Sequence, residues 1–218
     1  MTTIPTIKQI DKARQKNPWD FGNKILYDLC NDNFCHDQSD KTLTKVLFIG
    51  RIYAAAVERR INKKDDINDN FYIETVEPIF RKPELDSRLG KLQKCILSIE
   101  NIKIILQTHS YLTTELKSIT GLEKRSFSSK YLHFHLPELF FIYDSRALSA
   151  LRSFIKRIPT DLNQILNYKD IDKEYATFYC KCFELKRQIE NQHGIILTNR
   201  QLDNILIDVA NNKTGVNK

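Results

Sequence analysis

Residues 112–151, LTTELKSITGLEKRSFSSKYLHFHLPELFFIYDSRALSAL, hold the signals that decide the fold. Leu112, Leu116 and Ile119 share one helical face, and Gly121 follows as a residue that takes a left-handed turn without steric cost. Phe127, Tyr131 and Phe134 mark a second helix, which Pro137 must stop because proline disfavours helical geometry in the residue before it. Leu139–Tyr143 reads as a brief extended link, and Asp144 as the N-cap of a third helix closed by Pro159. The pattern is helix, tight turn, helix, extended link, and a carboxylate opening a helix.

Outward from this stretch the helical period recurs, with no internal repeat. Leu43, Val46, Leu47, Gly50, Tyr53, Ala54, Val57 and Ile61 fall on one stripe. They predict a helix from Thr42 to Asn62 that a polar run, Lys63–Asn70, ends. Leu89, Leu92, Ile96, Ile99, Ile102 and Leu106 predict one long helix, with Leu112–Ile119 a short separate one. Tyr175, Phe178, Cys182, Leu185 and Ile189 form another stripe, and Thr198 with Gln201 makes a capping box for a last helix. Strand signals are confined to Asn70–Val76, which reads as a short hairpin arm, and to Leu139–Tyr143. The expected class is all-α: one helical domain over residues 1–210 in two packed lobes, with the hairpin and carboxylate segment at about 106–158 and a flexible tail at 211–218.

Composition narrows the function. With 41% hydrophobic residues in 218, the chain can bury a sizeable core. Lys and Arg outnumber Asp and Glu 34 to 27, giving a net charge of +7 that favours a polyanionic partner. No apolar run is long enough to cross a bilayer, and the first residues lack a secretory h-region, so a cytoplasmic protein is expected, with no membrane partner. The odd, scattered set of cysteines (Cys30, Cys35, Cys95, Cys180 and Cys182) suits free thiols rather than a disulfide framework. Neither Cys30/Cys35/His36 nor Cys180/Cys182 has a CxxC spacing, so no metal site is expected.

The stretch SFSSKYLHFHLPELFFIYDSRA (126–147), with NPWDFGNKILYDLC (17–30) and GRIYAAAVERR (50–60), resembles the helix-hairpin-helix DNA glycosylase superfamily, in particular the 8-oxoguanine-glycosylase-like proteins of prokaryotes. The resemblance implies a bilobal helical fold in which a hairpin offers backbone amides to a DNA phosphate. The matching residues here are Thr120, Gly121, Leu122 and Glu123, without the family's proline and second glycine. A monovalent cation at the hairpin is the one cofactor it allows, and the four-cysteine iron–sulfur loop of some members is absent. The implied partner is double-stranded DNA bearing a damaged or modified base, bound by a monomer.

In that superfamily a catalytic aspartate follows, at a set interval, a position near the start of the second hairpin helix where lysine is the nucleophile. Asp144 lies 20 residues after Lys124 and 19 after Arg125. Lysine there would permit Schiff-base chemistry on the sugar. Arginine would not, because its guanidinium stays protonated, and the 19-residue register therefore favours a monofunctional enzyme with water oriented by Asp144. An anion at a helix N-terminus can stabilise an oxocarbenium-like sugar; the plainer role for Asp144 is simple capping. Lys130 stands on or beside the apolar stripe, so it either snorkels to solvent or faces a cleft as a third candidate cation. His133 and His135 read as packing or hydrogen-bonding residues rather than ligands. Trp19, Asp20, Asn23, Arg51 and Tyr53 are candidates for a pocket that holds a flipped base, each equally suited to core or surface. The expected activity is N-glycosidic bond cleavage on DNA, with 8-oxoguanine the default substrate and excision of modified cytosines in phage defence the specialised one. The alternative is a non-catalytic nucleic-acid-binding or protein-interaction module that keeps the fold.

Overall fold

The computed structural model describes residues 4–61 and 70–213. Among them are eleven α-helices and no strand. The helices are α1 (Ile7–Arg14), α2 (Trp19–Asp32), α3 (Ser39–Ile52), α4 (Glu77–Phe80), α5 (Pro83–Leu92), α6 (Ile99–Thr120), α7 (Arg125–His135), α8 (Ser145–Phe154), α9 (Thr160–Asn163), α10 (Lys173–His193) and α11 (Asn199–Lys213). A π-helical turn, Tyr72–Val76, leads into α4, and a 3₁₀ turn, Gln164–Asn167, follows α9.

Every residue of α7 from Phe127 to His135 is buried, so this helix is the axis of the molecule. Helices α2, α3 and α6 pack on it, α5 packs on α6, and α11 packs on α8 and α1, with α10 also against α8. The extended link after α7 joins the two groups. Leu139–Ile142 is buried without a β-ladder, so its backbone polar groups must find side-chain partners. The Tyr179 hydroxyl donates to Leu139 O at 2.8 Å, the Tyr175 hydroxyl to Phe141 O at 2.9 Å, and His133 Nδ1 to Phe140 O at 2.8 Å. Tyr143 N donates to Ser129 Oγ at 2.9 Å, which fixes where the link delivers Asp144.

Several elements differ from their sequence reading. The helix expected over Thr42–Asn62 ends at Ile52; Ala54 takes a positive φ of 49° and Ala55 N bonds back to Gly50 O at 2.8 Å. Ala55, Ala56 and Val57 are buried by this fold-back, so the stripe continued past the helix without helical geometry. A Cβ on Gly50 would lie 3.1 Å from Ala56 Cα, a tight approach that glycine relieves. Asn62 lies outside the described residues. The long helix expected over Leu89–Leu106 is broken after Leu92, and Ile96, counted on its apolar stripe, is 74% exposed. Ser98 restarts the chain in an extended conformation, and α6 then runs unbroken through Leu112, Leu116 and Ile119. The segment Asn70–Val76 is a helical turn rather than a strand, π-helical over Tyr72–Val76, and Glu74 N bonds Asn70 O at 2.8 Å, local helical closure overriding the β-branched and aromatic composition. At the C-terminus α11 continues to Lys213, so 211–213 are helical; the rest of the expected tail, 214–218, lies outside the described residues.

Candidate active site

Asp144 caps α8 from extended backbone, with its Oδ1 accepting from Arg146 N at 2.8 Å. Capping fixes the carboxylate at the helix N-terminus and leaves Oδ2 facing α7. There the cation is Lys130, whose Nζ lies 3.9 Å from Asp144 Oδ2. It donates to Ser126 Oγ at 2.8 Å and to Tyr53 O at 3.4 Å, and sits 5.8 Å from the centre of the Tyr53 ring. The Lys130 side chain is only 4% exposed, so it does not snorkel. Burial pushes its ammonium below the ordinary lysine value, while Asp144 and Asp203 pull it back up.

Lys130 and Asp144 open onto a cleft of about 840 Å³ whose wall includes Trp19, Tyr53, Arg200 and Asp203. Trp19 stands 69% exposed at its rim. Tyr53 is held from behind by its hydroxyl, which donates to Asn23 Oδ1, and Asn23 is buried. Beneath this layer Tyr27 and His133 meet at 2.7 Å. Because His133 Nδ1 donates to a carbonyl, Nε2 is the acceptor from the Tyr27 hydroxyl in the neutral ring, and burial lowers this histidine to about 4. His135 likewise donates through Nδ1 to Tyr131 O at 2.8 Å. Both act as packed, hydrogen-bonded groups.

The other sequence candidates lie apart from this cleft or serve it indirectly. Lys124 Nζ donates to Arg59 O at 2.6 Å. Arg125 is engaged by Asp172 at 2.5 Å, by Glu174 at 3.0 Å and by Glu123. Neither cation that the register favoured faces Asp144; Lys130 does, one and a half helical turns further along α7. Arg125 is held instead by Asp172, the N-cap of α10, and Lys124 by the Arg59 carbonyl. Arg51 pairs with Glu58 at 2.6 Å and is largely exposed, and Asp20 accepts from Asn17 N at 2.8 Å to open α2. In the hairpin turn Gly121 takes φ 67° and its N–H bonds Lys117 O at 2.8 Å, while Leu122 N donates to Thr120 Oγ at 3.2 Å. Both amides are thus spent inside the turn, and Glu123 places a carboxylate there, paired with Lys117 at 3.2 Å.

Arg200 and Asp203 were missed by sequence reasoning. Their i, i+3 spacing beside Leu202, Ile205 and Leu206 reads as a solvated salt bridge, whereas α11 docks so that both reach the cleft. Among the described residues no cluster of His, Cys, Asp or Glu could hold a metal, and no helix is long and apolar enough to cross a membrane. No protein family, characterised protein or solved structure matches the chain in comparisons of sequence and fold.

Proposed function

We propose that the protein is a DNA N-glycosylase of the helix-hairpin-helix type that receives a flipped-out damaged or modified base in the cleft between α3, α7, α8 and α11. The observation that carries this reading is the buried Lys130 beside Asp144 on the wall of a cleft of about 840 Å³, ample for a nucleoside. A desolvated ammonium with a depressed pKa beside a carboxylate is an arrangement suited to catalysis rather than to stability, since buried ion pairs contribute little net stability. The net charge of +7 supplies attraction for the phosphate backbone.

In this reading the base leaves with the electron pair of the N-glycosidic bond, and Asp144 stabilises the positive charge that grows on the sugar. If water attacks C1′, Asp144 orients it and takes its proton. If Lys130 attacks as the neutral amine, its nitrogen bonds to C1′ as the base departs and gives up a proton; the C1′–O4′ ring bond then breaks, its electron pair and a proton going to O4′, and the nitrogen's lone pair forms the C=N bond of the imine. The position of Lys130 favours this second route, because the argument for water rested on Arg125 facing Asp144, and Arg125 is held by Asp172 instead. Glu123 at the turn and the spent amides of Gly121 and Leu122 make the hairpin a weaker phosphate site than the family pattern implies.

The test is incubation with duplexes that each carry one modified base, 8-oxoguanine and 5-hydroxymethylcytosine among them, followed by scoring of abasic sites and borohydride trapping. Base release lost in Lys130→Gln together with an adduct in the wild type supports the amine route. Release by the wild type without any adduct assigns the water route. Tight DNA binding with no release from any duplex would favour the non-catalytic module.

A further inference from the structure

We propose that Arg200 and Asp203 read the edge of the bound base, selecting one that offers an N–H donor beside a lone-pair acceptor. The proposal rests on the cleft being a base pocket. Asp203 is 6% exposed, and one carboxylate oxygen is bound by Arg200 Nη1 at 2.6 Å. The other, Oδ1, is buried with no hydrogen-bond partner, and so is Arg200 Nε. Buried polar atoms are rarely left unpaired, and both residues form the wall of the cleft, so a ligand there is the natural source of the missing donor. The terminal torsion of aspartate is broad and two-fold, which lets either oxygen turn to the ligand.

The Arg200 guanidinium lies over the Tyr53 ring, 6.0 Å from its centre, so the donor and acceptor adjoin an aromatic side chain that lines the same cleft. An arginine N–H beside a carboxylate oxygen matches a lactam, with its N–H next to C=O, or the amino–imino edge of a cytosine-type base. The charges that face Asp203 are Arg200 on its own helix, Lys130 from α7, and Asp144 and Arg146 at the start of α8; Lys12 of α1 pairs with Asp208 instead. Burial, with help from Asp144, pushes the Asp203 carboxyl up to about 6, against the pull of Arg200 and Lys130. It is therefore an acceptor above that pH and gains a proton below it.

Trp19 is the single tryptophan and lies at the cleft, so its fluorescence reports occupancy. The full chain is titrated with 8-oxo-2′-deoxyguanosine and its N1-methyl derivative, and with 2′-deoxycytidine and its N4,N4-dimethyl derivative. At pH 8 one parent is expected to bind about 10- to 100-fold more tightly than its methylated partner, the cost of an unmatched buried acceptor. Whichever pair discriminates identifies the edge. The preference should fade as the pH falls through about 6, and Asp203→Asn, which keeps the side-chain shape, should reduce it to less than about 3-fold. The comparison of parent with methylated nucleoside uses the wild type alone, so it stands even if the variant does not fold. Equal binding within both pairs, or no quenching by any nucleoside, overturns the proposal. Base release from duplex DNA without such discrimination defeats this inference alone; discrimination without base release leaves it standing and defeats the glycosylase reading.

Discussion

Replacing Asp144 by Asn separates the chemistry of this residue from its role in the fold. Asparagine caps helices about as well as aspartate, so the bond from Arg146 N at 2.8 Å should survive. What is lost is the charge opposite Lys130. Two unit charges at the observed 3.9 Å interact by roughly 4 kcal/mol at an effective dielectric constant near 20. Asp144 is 24% exposed, and part of that interaction is returned when the carboxylate no longer has to be desolvated. A net destabilisation of about 1–3 kcal/mol follows, or roughly 2–10 °C in Tm for a chain of this size. Under the proposed glycosylase reading the effect on base release should be much larger, about 10²–10³-fold or more in a single-turnover assay with a modified duplex, because the carboxylate would then act where charge develops. DNA affinity should change little, since no phosphate contact is removed. Asp144→Ala serves as the control: it should cost about 1 kcal/mol beyond Asp144→Asn through loss of the cap. Wild-type rates of base release in a folded Asp144→Asn protein would refute the catalytic assignment and leave the residue a cap.

Further outcomes follow from other parts of the structure. Lys130→Met removes a buried charge into a similar volume, so thermal unfolding should show stability unchanged or raised, while any borohydride adduct formed by the wild type should disappear; a loss of several kcal/mol would mean that the pair is structural. Tyr179→Phe leaves Leu139 O without its donor and should cost about 1–3 kcal/mol in urea unfolding; no cost would show that water replaces the hydroxyl. Gly50→Ala should destabilise by about 1–3 kcal/mol despite its better helix propensity, because the new methyl meets Ala56 Cα at 3.1 Å; a stabilised variant would contradict that packing. Acid should weaken the fold. Burial lowers His133 to about 4 and His109 to about 3, so their neutral forms contribute stability that is whole above the ordinary histidine value of 6.5 and is lost as pH falls towards those values. Asp203, raised to about 6, acts in the opposite sense between pH 6 and its ordinary value of 3.8, but it is one group against four, since burial lowers His36 and His135 as well, so the urea midpoint should still drop by pH 5. DNA binding should weaken steeply with added salt, with a log–log slope of about −0.9 for each phosphate neutralised; a flat dependence would count against a nucleic-acid partner.

The sequence by itself determined what depends on neighbours along the chain. The all-helical class follows from apolar spacing, the end of α7 from Pro137, the start of α8 from Asp144, and the start of α11 from Thr198 and Gln201, whose reciprocal bonds of 3.1 and 3.0 Å are present. Each of these is a backbone hydrogen-bonding problem solved within four residues, so its signal is local. Periodicity misled where burial arose by another route. The stripe through Val57 is buried by a reversal at Ala54, and Ile96 kept the apolar spacing while facing solvent. Which cation meets Asp144 was decided only by tertiary structure. Counting residues pointed to Lys124 or Arg125, but Arg125 is captured by Asp172 on α10, and the buried α7 turns Lys130 into the cleft. Arg200 and Asp203 reach the same cleft from a helix far along the chain. Their desolvation, and the hydrogen bonds they are missing, exist only once α11 has docked against α8.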